Sequence, residues 1–157
     1  MAATYTHADG RIILHSWGRF RALAVSAVKA GDLLYQKASS GVELATHTTT
    51  ASALTTAAQC VACEDIAAGG TGWVALAVEI KDPATISATD GSVTQGSLST
   101  AGDEGEPLYL SGTAGQATGT APTASGTVIK QSVGFITAVD RALLRPMPPS
   151  QTLTDAT

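Results

Sequence analysis

Gly31-Asp32-Leu33-Leu34-Tyr35, with Ser39 and Gly41 following, recurs without a gap as Gly105-Glu106-Pro107-Leu108-Tyr109, with Thr113 and Gly115 following. Further along each copy, Gln59-Cys60-Val61-Ala62 is echoed by Gln131-Ser132-Val133-Gly134. A glycine, an acid, a Leu-Tyr pair and a second glycine six residues past the tyrosine describe a short strand, a tight turn and a return strand. Two such hairpins, each followed by a later apolar strand, predict an all-β fold. The expected architecture is a small β-sandwich or barrel with a pseudo-duplicated hairpin unit and extended terminal arms. Strand alternation sets Leu34 and Leu108 inside, leaves Tyr35 and Tyr109 partly buried on the other face, and places Gly41 and Gly115 in the turns at positive φ.

Composition narrows the class. Of 157 residues, 28 are Ala, 22 Thr, 16 Gly and 13 Ser, so half the chain is small, while only 4% is aromatic and 14% charged. A core built from so few large side chains gains from burying surface against copies of itself or a partner. A hydrophobic content of 44% and the Thr and Val enrichment favour strands over disorder. No stretch approaches the ~20 apolar residues of a membrane-spanning helix, and no basic-then-apolar leader is visible at the N-terminus; no membrane partner is expected.

Charge is uneven. Residues 1–37 carry a net +3, residues 38–128 a net −8 and the remainder +1. An acidic middle argues against nucleic-acid binding, which needs concentrated Lys and Arg. The basic start suits an acidic partner surface, or else a mixed solvated face.

Along the chain, residues 1–27 read as an N-terminal arm and first strands, 28–145 as a β-domain with two related hairpin units, and 146–157 as an extended tail opened by Arg145-Pro146-Met147-Pro148-Pro149. Strands are predicted at Arg11–His15 and Phe20–Val25 with Trp17-Gly18 between them, the imperfect alternation over Phe20–Val25 leaving a short helix as the alternative. Others fall at Leu33–Lys37, Val42–Ala45, Cys60–Cys63, Trp73–Ile80, Thr127–Val139 and Ala142–Leu144, and the second hairpin covers Leu108 to Thr118. Thr46–Thr56 reads as a loop, and Asp82–Gly105 as a β-flap or projecting loop.

Reactive chemistry is absent from this reading. Cys60 and Cys63 are read as buried reduced thiols, pointing to opposite faces because their spacing is odd. A zinc site needs two more ligands, and His7, His15 and His47 show no paired spacing. Gly69-Gly70-Thr71-Gly72 runs into a strand without a Gly-Lys-Ser/Thr ending, so it is a turn and not a phosphate cradle. Asp103, Glu104 and Glu106 do not match a calcium loop. No Gly-x-Ser-x-Gly elbow marks a hydrolase. Trp17, Phe20, Trp73 and Phe135 read as core anchors. No catalytic residue, cofactor or metal is expected.

The run Gly105-Glu106-Pro107-Leu108-Tyr109-Leu110-Ser111, followed by Thr113-Ala114-Gly115, Thr120-Ala121-Pro122-Thr123-Ala124-Ser125-Gly126 and Gln131-Ser132-Val133-Gly134-Phe135, resembles a module of small tailed-bacteriophage virion proteins. The first half, with Gly31-Asp32-Leu33-Leu34-Tyr35, Val61-Ala62 and Trp73-Val74-Ala75-Leu76, is similar to capsid decoration (cement) proteins. The resemblance covers residues 28–80 and 105–145. It implies a non-enzymatic β-rich protein, assembled in the host cytoplasm and bound to the outer capsid surface as a homotrimer, whose partners are the major capsid protein and copies of itself. A tail or fibre component that touches the host is the alternative, and a hydrolase or sugar-binding domain a third. Within residues 1–27, which the resemblance leaves out, Arg11, Trp17, Arg19, Phe20 and Arg21 are the candidate partner-binding residues, because arginine and aromatics are enriched at interfaces; the competing expectation is that Trp17 and Phe20 fill the protein's own core.

Overall fold

The computed structural model describes residues 11–47, 55–81, 84–86, 93–95, 104–119, 121–122, 128–138, 141–149 and 151–153. The arm over 1–10, most of the 46–56 loop, most of 82–105 and the last residues of the tail lie outside them. The described chain is all-β. Its strands are β1 (Ile12–Leu23), β2 (Leu33–Lys37), β3 (Gly41–Leu44), β4 (Cys60–Ala62), β5 (Thr71–Lys81), β6 (Ala84–Ile86), β7 (Val93–Gln95), β8 (Pro107–Leu110), β9 (Ala117–Thr118), β10 (Val128–Lys130), β11 (Ser132–Ala138), β12 (Arg141–Leu144) and β13 (Gln151–Leu153). Two pairs stand apart from the main antiparallel sheet: β6 with β7, inside the predicted flap, and β10 with β13.

β5 is the spine. β1 pairs along one edge of it from Ile12↔Lys81 to Leu23↔Thr71. On its other edge β5 bonds first β4, at Val74 and Ala75, and then β12, at Val78 to Lys81. Two limbs therefore branch from one strand: β4-β2-β3 and β12-β11-β8-β9. Their far ends meet again. Leu33 N–H donates to Gly115 O at 2.8 Å, Gly115 N–H to Ala45 O at 2.7 Å, and His47 N–H to Ser111 O at 3.0 Å. These bonds curl the sheet into a half-barrel.

The interior between the limbs holds the larger core: Leu33, Val61 and Ala75 from one side, and Leu108, Leu110, Val133, Ile136, Ala142 and Leu144 from the other. A second core lies on the outer face of the first limb, where Leu34, Cys60, Ala62 and Val74 pack under Ala24, Val28, Val42 and Ile66. Leu33 and Leu34 of β2, all of β4, and Val74 and Ala75 of β5 are thus buried on both faces of the sheet. This is why Cys60, Val61 and Ala62 are apolar in an unbroken row. Val28 and Ile66 exchange backbone hydrogen bonds at 2.9 Å, fixing the lid of that second core.

Both hairpins form where the repeat puts them, with β2 turning into β3 and β8 into β9. Leu34 and Leu108 are fully buried, and both tyrosines are half-buried. Gly41 and Gly115 have φ of 118° and 80°. At Gly41 a Cβ would also stand 2.4 Å from the Leu23 carbonyl oxygen, so no other residue fits there without moving β1.

Two boundaries differ from the sequence reading. The two strands expected around Trp17-Gly18 are one continuous strand, because β5 pairs with it along its whole length; Gly18, at φ 67°, leaves room for the Leu76 side chain. The single strand expected over 127–139 breaks at Gln131, whose side chain turns inward. Its Oε1 accepts from Ala58 N–H at 2.8 Å, while its Nε2 donates to the Ala58 carbonyl at 2.7 Å and the Met147 carbonyl at 2.6 Å. Every polar atom of this buried amide group is engaged, which ties the approach to β4, the β10–β11 junction and the tail into one clasp.

Candidate partner-binding surface

β1 reads Ile-Ile-Leu-His-Ser-Trp-Gly-Arg-Phe-Arg-Ala-Leu, rich in the β-branched and aromatic residues that suit a strand. β4 and β12 share the opposite edge of β5, so β1 is an outer strand. β3 closes against its C-terminal end, where Val42 bridges Ala24 and Val25 N–H donates to the Val42 carbonyl at 2.9 Å, and among the described residues no strand lies beside it from His15 to Arg21. It bulges once, at Leu14, between the Ile13↔Ile80 and His15↔Glu79 pairs.

The register determines what this strand presents. Arg21 lies directly opposite Trp73, and the two-residue period puts Trp17, Arg19 and Arg21 on one face. The Arg19 and Arg21 guanidinium carbons stand 4.8 and 5.3 Å from the centre of the Trp73 ring, within cation–π range. Arg21 Nη2 also donates to the Thr71 carbonyl at 3.3 Å. Trp17 leans on His15, ring centres 6.0 Å apart, and His15 Nε2 faces Glu79 at 3.8 Å. The ribbon is widely exposed: Trp17 by 50%, Leu76 by 56%, Phe20 by 39% and Trp73 by 37%.

Trp17, Phe20, Trp73 and Phe135 were expected to anchor the core, and the structure corrects this: each is more than a third exposed. The core is filled instead by Leu, Val, Ile and Ala, and three of these aromatics ride on the edge ribbon. Of the five candidate partner residues, Trp17, Arg19, Phe20 and Arg21 share β1. Arg11 does not join them. It is buried, its guanidinium 3.7 Å from the Asp32 carboxylate, with its alkyl stem in the space that the missing side chain of Gly31 leaves. Trp73 and Leu76 belong to the surface, yet sequence reasoning left them out; only the β1–β5 pairing, across some fifty residues of chain, reveals them.

Two hollows flank the ribbon, each of about 420 Å³. One opens where β4 and β12 part, between Leu76, Trp17 and the Arg145–Pro148 segment. The other lies between Ser16, Arg19 and Cys63. Neither holds an activated nucleophile. Burial pushes the Cys63 thiol up, against the opposing pull of Arg19, and burial together with Cys63 pushes the Cys60 thiol up to about 12. Both cysteines are free; Cys60 is buried in the second core and Cys63 half-buried against the first, on opposite faces as their spacing requires. The glycine-rich segment turns at Gly69-Gly70 and enters β5 at Thr71; Gly69 N–H donates to the Ala24 carbonyl and the Gly70 carbonyl accepts from Ala24 N–H, both at 2.8 Å. Among the described residues no group of three His, Cys, Asp or Glu side chains is placed to hold a metal ion, and no helix is long and apolar enough to cross a membrane.

No family model matches this chain, and neither the curated proteins nor the solved structures contain a significant match to it.

Proposed function

We propose that this chain is a non-enzymatic structural protein of a tailed-bacteriophage virion, one that binds the outer surface of the capsid and stabilises the shell by bridging its subunits. The observation that carries the reading is the β1–β5 ribbon: an outer strand with Trp17, Phe20, Arg19 and Arg21 presented to solvent, backed by Trp73 and Leu76. Exposed aromatic and arginine side chains on a rigid sheet edge are the composition of a binding surface. The sequence resemblance supplies the setting, and the small-residue scaffold suits tight packing around a symmetry axis, the homotrimer being the expected assembly. Many copies on a repeating lattice also hold on by avidity, without high affinity at each contact.

Stoichiometry tests this. Purified virions that carry the chain are quantified against the major capsid protein and imaged by particle reconstruction. The reading requires a copy number that scales with the capsid lattice and density on the outer shell. A few copies confined to the tail would replace it with the fibre reading, and isolated monomers on the shell would remove the trimer.

A further inference from the structure

β1 offers two things at once: backbone groups along an edge that no described strand covers between His15 and Arg21, and a cationic side-chain face. We infer that this edge is a strand-addition site, and that its occupant is an extended, acidic segment of another protein chain, which pairs with β1 and extends the sheet.

In an antiparallel ladder alternate residues direct their N–H and C=O groups away from the existing partner, so from His15 to Arg21 about every second residue presents outward backbone groups that no described strand pairs. A strand of twelve residues extends for about 40 Å, long enough for a partner segment to pair over several residues in succession. Native proteins guard such edges with bulges, prolines, inward charges or covering loops. Here the single bulge sits near one end, at Leu14, and no proline interrupts the strand from Ile12 to Leu23. Among the described residues the uncovered stretch runs from His15 to Arg21, the part that carries the arginines, and ends where β3 closes against Leu23.

Charge selects the occupant. Residues 12–23 contain Arg19, Arg21 and His15 and no carboxylate. Trp73 holds the two guanidinium groups above one face of the ribbon. A strand added beside β1 would set its own same-face side chains next to these groups at cross-strand distance, about 5 Å, where carboxylates attract and ammonium groups repel. A second copy presenting its own β1 would bring arginines toward arginines, so the chemistry favours a different, acidic strand. Trp17 and Phe20 add apolar contact on the two faces.

This inference rests on the reading of the ribbon as a binding surface, and a peptide experiment separates the two. The probe is a ten-residue synthetic peptide alternating glutamate with valine, titrated against the full chain with tryptophan fluorescence as the readout. Two control peptides accompany it: the same sequence with lysine for glutamate, and the acidic sequence with alternate amides N-methylated, which keeps the charge and removes strand pairing. The expected result is binding of the acidic peptide, weakened about tenfold or more by N-methylation, by the lysine exchange and by the double variant R19Q/R21Q, and weakened by salt. Equal binding of the N-methylated or lysine peptide overturns the proposal, as does no binding of the acidic one. Tighter binding of a single-stranded oligonucleotide overturns it in favour of nucleic acid. A dimer in solution that Trp17→Glu converts to monomer overturns it in favour of a second copy. If the chain loads onto shells while ignoring N-methylation, the functional reading stands and this one falls; if it binds the acidic strand but never the shell, the reverse holds.

Discussion

The two hairpin units share one strand order and differ by one residue of register. In the first, β2 lies between β3 and β4, and β4 turns back into β5; in the second, β8 lies between β9 and β11, and β11 turns back into β12. The sheet reads the same from either end. The pairings, however, are offset. Leu34 faces Cys60 in the first unit, so the repeat would set Leu108 opposite Ser132, but Tyr109 takes that place and Leu108 moves on to Gly134. The extra residue is Val133, a bulge next to a glycine. A slip of one residue exchanges the faces of a strand. Leu34 accordingly points into the second core and Leu108 into the first. Duplicated sequence thus yields one unit buried on both faces and one buried on a single face, and the deciding difference is Cys-Val-Ala against Ser-Val-Gly on the strand that follows.

Four measurements break or sharpen that comparison. The largest effect is expected at the acid of the repeat. Asp32 is buried against Arg11 and accepts from Lys29 N–H at 2.9 Å, whereas Glu106 is exposed. Asp32→Ala takes a carboxylate away from a buried guanidinium and from the Lys29 N–H and should cost about 3 kcal/mol in urea unfolding, while Glu106→Ala stays within about 0.5 kcal/mol. Equal losses would mean that the units do not differ at this position.

Next comes the glutamine. Gln131→Ala removes three hydrogen bonds, two of them to buried Ala58, and should cost about 3 kcal/mol. Its counterpart Gln59 is exposed and accepts one bond, from Gln36 N–H at 2.8 Å. Gln59→Ala should cost about 1 kcal/mol or less by the same denaturation assay.

The separation of the cores is tested by coupling. Leu33→Ala with Leu108→Ala, both in the larger core, should be non-additive by about 0.5 kcal/mol or more; Leu34→Ala with Leu108→Ala should add within that margin. Coupling in the second pair would merge the two cores into one.

The smallest effect is the pH response of the seam between the units. Burial holds the His47 pKa below its ordinary value, so the unfolded chain takes up its proton first. That contribution is complete above the usual histidine range and is lost as pH falls through about 6.5 and below, by less than ~1 kcal/mol once solvent screening is counted. Glu43 acts at lower pH: hydrogen bonds from Ser26 and Lys37 outweigh the upward push of burial and lower its pKa, so its contribution disappears only as pH falls through its depressed value. Melting temperatures from pH 8 to pH 3 for the native chain and His47→Gln would show a flatter upper acid limb in the variant; identical curves would remove His47 from the account.

The fold class and both hairpins were legible because their signals are local: a Leu-Tyr pair, a turn glycine and short apolar runs lie within a dozen residues. The continuity of β1 was not legible, since Gly18 looks like a break until β5 is seen beside it. Nor was the second core, whose cover comes from Ala24, Val28 and Ile66, none of which stands out in a chain so rich in small residues. At the surface, Trp17, Arg19, Phe20 and Arg21 could be picked out by residue type. Arg11 could not be told apart from them, because its partner is chosen by the approach of the chain and not by neighbours in sequence.

The bonds that join Gly115 to Leu33 and Ala45 have a consequence for how the chain acquires its structure. The first hairpin leaves a backbone donor at Leu33 and an acceptor at Ala45 that only the turn of the second hairpin, more than sixty residues later, can satisfy. Neither repeat closes its own sheet, and each supplies half the lining of the larger core. Duplication has therefore not produced two independent folding units. The chain should unfold in one cooperative step and refold slowly for its size, its distant contacts requiring closure of long loops before they reward it. A fragment ending at residue 81 would expose one wall of a core along with its open strand edges, and would associate rather than fold alone.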